Sequence, residues 1–302
     1  MIWAGKITAS RLNCPFCAFF ASMIGNRSSE QFNRSLGIRA DEGQTVRLFF
    51  LHNFLLGIGT MLVYVTANVI LLENKPETSL PVAYIVSALG MMGIGRIYAY
   101  FEHHLKLSQL VVRVLWAVIL FTAVIAVLVA FGESSVAAAV AIMVGFRGIY
   151  LLTNLEFWAV SSLVFDVRQS KRLFSIISSG DLPAKALGAI LVALIHNHSD
   201  LLALLVLAFA VFGAALYVTA LTIRLHNVYA PPTPARPIRR PQTRWLQQLF
   251  GGSELIRAVC LTMIPVAMMA AGIEYEFFIN VKHKVHNQAA VLTFLSYVLD
   301  LT

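Results

Sequence analysis

The sequence predicts an all-α integral membrane protein, and three observations carry that prediction. Of its 302 residues, 58% are hydrophobic and only 13% charged, against roughly 25% charged in a soluble domain. Mean hydropathy is +0.75. Apolar runs long enough for a helix to cross the hydrocarbon of a bilayer, about 20 residues, recur along the chain. Basic residues gather on alternate connections between those runs, as they do when one set of loops faces the cytoplasm. The net charge of +8 is read as that bias, not as a nucleic-acid surface. Three cysteines give no disulfide framework.

Residues 1–45 form a mixed, basic cytoplasmic segment. Cys14-Pro15-Phe16-Cys17 has redox-motif spacing but lacks a following βαβ pattern. The apolar piece Phe16–Ile24 is too short to span. A six-span unit is expected over 46–224. Span one covers roughly 47–72 and is followed by the short acidic connection Glu73–Ser79. Span two, roughly 80–101, is rich in Ser87, Ala88, Gly90, Gly93 and Gly95, residues that let helix backbones approach closely. Span three is expected at 110–131 and span four at 136–164. A basic turn follows, from Asp166 through Arg168, Lys171 and Arg172. Span five lies within 173–195 and span six at 201–223.

Residues 225–250 hold Pro231, Pro232, Pro234, Pro237 and Pro241 with Arg236, Arg239, Arg240 and Arg244, the composition of a stiff aqueous linker. Residues 251–302 begin a second set of spans. Span seven is expected at 255–273. Span eight starts near Ala289 and reaches only half a span by Thr302. Its completion would come from a second half or another protomer. With the N-terminus cytoplasmic, the inside connections hold most of the Lys and Arg, and the outside ones only Lys75, Lys282 and Lys284.

Six spans, a basic linker and the start of a second set are the plan of a major-facilitator-like bundle. Transporters of that type place their substrate at mid-membrane between two six-span halves.

Polar residues inside the apolar runs are the candidate site, because charge in lipid is costly and usually functional. Arg147 lies near the middle of span four. Tyr150, Asn154 and Trp158 fall close to its face at helical spacing, and Glu156 points the other way. Arg147 can serve an anionic substrate or pair with another span. Glu156 lies nearer the cytoplasmic end, within reach of Lys171 or Arg172. Asp166, Arg168, Lys171 and Arg172 read first as a cytoplasmic turn and second as a gate. Span five is expected to break near Gly180-Asp181-Leu182-Pro183, since 183–195 alone cannot cross. Asp181 would cap the second half, with Pro183 in its first turn. That half-helix end, with Lys185 one turn on, would attract an anion. His52, Asn53 and Asn68 read as groups bonded to neighbouring helices, and Glu274 and Glu276 as facing either the cavity or the headgroups. His196 and His198 lack partners for a metal site.

Asn154-Leu155-Glu156-Phe157-Trp158, Phe165 through Phe174, and Ser178 through Lys185 together resemble the bacterial relatives of the ATP/ADP translocase family. Weaker similarity runs from Phe32 to Leu225. The resemblance implies a major-facilitator-like fold in a bacterial inner membrane and exchange of ATP for ADP. Span one does not show the characterised translocases' pattern.

The expectation is therefore a secondary transporter of an organic anion, with a nucleotide the favoured substrate and spans one, four, five and seven around the site. Its partners would be that solute and the bilayer. No GxxxxGK[ST], HExxH or GxSxG stretch is present, so no catalytic residue, metal or cofactor is expected. The rival is a sensor or scaffold that keeps the bundle without transport.

Overall fold

The computed structural model describes residues 42–73, 76–131, 136–165, 167–196, 201–225 and 254–284. The redox-spaced cysteines, the proline-rich linker, His198 and span eight lie outside them. Every regular element among the described residues is an α-helix: α1 (Gly43–Glu73), α2 (Pro76–His104), α3 (Leu107–Ala130), α4 (Val136–Val164), α5 (Val167–Ser178), α6 (Asp181–His196), α7 (Leu201–Leu225) and α8 (Glu254–Lys284). Seven stretches among them are long and apolar enough to cross a membrane, the fifth running across α5 and α6. The bundle is thus of the membrane-spanning type, the only open-ended structure besides a closed barrel that satisfies its backbone in lipid.

Helix α1 is apolar on every side, the pattern of a helix enclosed by others. Within its most apolar window 83% of residues are buried, against 17% for α2 and 6% for α8. It packs against α7, α6, α4 and α5, and α3 closes the ring through α4 and α7. Leu62, Val63, Val65 and Ala67 of α1 have no exposed surface. Helices α2 and α8 turn Ile85, Leu89, Met92, Met263, Met268 and Ile273 outward; outward apolar side chains suit a helix that faces lipid.

Close approach to α1 depends on two glycines. A Cβ on Gly59 would fall 2.6 Å from the Phe212 ring of α7, and one on Gly57 would fall 2.6 Å from the Ala184 Cβ of α6. Small residues at such crossings let helix backbones touch.

The basic connection after span four is helical from Val167 onward, not a turn. Its sequence is strongly two-faced, with Leu173 and Ile177 buried. Span five breaks where the sequence indicates: α5 ends at Ser178 and α6 starts at Asp181. The break is sharp because the Gly180 carbonyl accepts the first bond of α6, from Ala184 N–H, and Pro183 needs no partner in the first turn. Asp181 is therefore the first residue of the helix and not its cap. The two pieces hold 12 and 16 residues. They rise ~18 Å and ~24 Å, so neither alone crosses ~30 Å of hydrocarbon. Other boundaries move modestly. Pro76–Ser79, expected as connection, already belongs to α2, and α8 continues helical through Glu274 and Glu276 to Lys284.

Candidate functional site

A cleft of about 140 Å³ opens between α1, α4 and the broken pair α5 and α6. Helix α1 contributes Asn53, Gly57 and Thr60, α4 contributes Tyr150, Asn154 and Trp158, and Ser178, Asp181 and Lys185 flank the break. Asn53–Thr60 lies just before the middle of α1, and Tyr150–Trp158 runs from the middle of α4 towards its C-terminal end, so the cleft lies between the middle of the bundle and the end where α1 begins and α4 finishes. The arrangement follows from helical periodicity. Tyr150, Asn154 and Trp158 repeat at four-residue spacing and share one face of α4. Missing side-chain bulk at Gly57 lets the start of α6 approach α1, with Asp181 Oδ1 3.1 Å from where a Cβ would be.

The polar groups of the cleft are mostly acceptors. Asn53 Nδ2 donates to the carbonyls of Ile177 and Ser178 at 3.2 and 3.3 Å. Asn154 Nδ2 donates to Tyr150 O at 2.8 Å. The hydroxyls of Thr60, Thr153 and Ser178 donate back to carbonyls of their own helices. Each of these side chains keeps an oxygen with accepting capacity. Asp181 and Lys185, one turn apart on α6, form an ion pair at 2.7 Å. Trp158 stands edge-on to Phe174 of α5 and to Phe157, which fixes the indole at the mouth of the break.

Of the five residues expected to bind substrate, Asn154, Asp181 and Lys185 line this cleft; the other two are engaged elsewhere. Arg147 does not line it. Its Nη2 donates to Glu274 of α8 at 3.1 and 3.4 Å, and its guanidinium lies 5.7 and 5.8 Å from the Tyr84 and Phe146 ring centroids. Both side chains of the pair are about a quarter exposed. Arg147 thus takes the ion-pair role left open by the sequence, and Glu274 meets it outside the cleft.

Glu156 has a partner on α1, and the side chains of Lys171 and Arg172, expected as its partners, lie outside the described residues. Glu156 faces the bundle interior and meets His52 Nε2 of α1 at 2.8 Å, with the two side chains 0% and 3% exposed. The other His52 nitrogen meets Thr219 Oγ1 of α7 at 3.0 Å. A chain of three side chains thus ties three helices together behind the cleft. The second Glu156 oxygen has no hydrogen-bond partner among the described residues. His52 and Asn53 bond to neighbouring helices as expected; Asn68 instead donates within its own helix, to Tyr64 O at 2.9 Å.

Of the expected gate, Asp166 and the side chains of Arg168, Lys171 and Arg172 lie outside the described residues. The segment's Gln169 Nε2 donates to buried Glu42 at 3.1 Å, joining α5 to the start of α1. No group of metal-ligating side chains occurs among the described residues. Sequence reading passed over Thr219, Gly57, Thr60 and Glu42. Nothing local marks them, since each acquires its role from a helix far along the chain.

No family model, curated protein or solved structure matches this chain.

Proposed function

We propose that the chain is the membrane unit of a secondary transporter, with the cleft between α1, α4, α5 and α6 as its substrate site. One observation carries the reading: a polar, partly open cleft sits within an apolar bundle, against a helix broken at the level of the cleft. Discontinuous helices are a recurrent way of building a solute site inside a membrane. Irregular backbone is tolerated there only where it lines a cavity or is covered by protein. The six spans from α1 to α7 would be one half of a major-facilitator-like arrangement working by alternating access. The solute would be organic and carry at least one anionic group for Lys185. A nucleotide as that solute rests on the sequence resemblance alone.

The test is access from both sides. In Thr60→Cys, right-side-out and inverted vesicles should both be labelled by an impermeant maleimide. Labelling from one side only would overturn alternating access and favour a sensor or scaffold with the same bundle.

A further inference from the structure

We propose that the cleft selects a small zwitterion of the α-amino-acid class, a statement that rests on the cleft being the substrate site. The argument starts from charge. Asp181 and Lys185 are the two charged residues lining it, and they hold each other at 2.7 Å. The cationic side chain expected to attract an anion, Arg147, is engaged by Glu274 outside the cleft. A simple anion would take Lys185 and strand the Asp181 carboxylate; a simple cation would do the reverse. The pair is partly open, with Lys185 45% and Asp181 40% exposed, and either ligand strands one of its charges inside an apolar bundle, where lone charge is disfavoured. A molecule with ammonium and carboxylate on one carbon replaces both halves of the pair at once. Its carboxylate takes Lys185, its ammonium takes Asp181, and the charge of the site stays zero.

The remaining groups agree. An ammonium has three hydrogens to place. The cleft offers the Asp181 carboxylate and the amide oxygens of Asn53 and Asn154, whose NH₂ groups are already used on backbone carbonyls. Tyr150 and Trp158 supply ring faces for an apolar side chain or for the ammonium itself. Size points the same way. At about 140 Å³ the cleft is close to the ~150 Å³ cavity that accommodates benzene, room enough for a short amino acid.

The test deletes one ligand charge at a time on the unaltered 302-residue protein in nanodiscs. L-Valine, isobutylamine and isovalerate share a carbon skeleton and differ in carrying both charges, only the cation, or only the anion. Valine should bind saturably, and each single-charge analogue should bind about tenfold more weakly or worse. Asp181→Asn should weaken valine but not isovalerate, and Lys185→Gln should weaken valine but not isobutylamine. Isovalerate or isobutylamine binding as well as valine would overturn the proposal. So would no binding of valine, phenylalanine or glycine at millimolar concentration. The two readings fail separately. Two-sided labelling at position 60 without protection by any zwitterion removes the ligand class and leaves the transporter. One-sided labelling removes the transporter, and the binding series then judges the ligand class by itself.

Discussion

Glu156 has no exposed surface, and its buried partner His52 is held in turn by Thr219. Removing one member of a buried pair leaves the other uncompensated, so His52→Leu should lower unfolding stability by ~3–5 kcal/mol. His52→Leu with Glu156→Leu should recover most of that, since a well-packed apolar pair is often as stable as the buried polar pair it replaces. Thr219→Val should cost only about 1 kcal/mol, one neutral hydrogen bond. Denaturant titration of the four proteins in detergent checks the order. The Arg147–Glu274 pair is more open, so its rupture falls between surface and buried values. Arg147→Gln should cost about 2 kcal/mol. Arg147→Gln with Glu274→Gln should return towards the parent melting temperature. Unchanged stability in Arg147→Gln would mean the contact contributes nothing. These residues also mark what a single sequence reveals. The cost of Arg147 and Glu156 in lipid was legible, because it depends only on their own chemistry and the apolar run around them. Their partners were not, since 127 and 104 residues separate each from its mate. Local sequence offers Glu156 only the nearest cations, Lys171 and Arg172, and does not point to His52.

At the scale of helices, the Gly57 crossing sets how far the start of α6 lies from α1. Gly57→Ala would place a methyl 2.6 Å from the Ala184 Cβ, a contact between two stiff atoms that only a backbone shift can relieve. The expected cost is ~1–3 kcal/mol. Ligand affinity in the cleft should fall as well, because Asp181 moves with the helix. Thermal unfolding and a binding assay on the same sample separate the two effects. Gly213→Ala is the control: a Cβ there meets nothing within 4 Å, so it should be milder. The break itself could be read from Gly180-Asp181-Leu182-Pro183 together with a length too short to span, both local properties. The role of Asp181 could not. A carboxylate at a helix start suits both a cap and a bond to the residue one turn on, and here Lys185 takes it.

For the whole molecule, the distribution of Lys and Arg predicts a cytoplasmic linker and an external α1–α2 connection. A cysteine at exposed Glu77, near that connection, should react with an impermeant reagent in intact cells, and one at Thr243 should not. The reverse pattern would invert the protein in the membrane. The seven described spans were legible because hydropathy is additive along the chain. Which span lies at the centre was not, because α1 and α7 are both long apolar runs and only packing distinguishes them. That central position of α1 has a consequence for how the protein is made. Of the described spans, α1 leaves the ribosome before the others and finishes enclosed by them. His52 meets Glu156 and Thr219, which follow it by 104 and 167 residues. At ~5–20 residues per second, the imidazole waits roughly ten seconds for the carboxylate and several more for the hydroxyl. In that interval α1 sits beside lipid or an insertion factor with its polar groups unmatched. A photo-crosslinker at position 52 in arrested nascent chains should therefore capture lipid or insertase before α7 emerges, and only the chain's own helices afterwards.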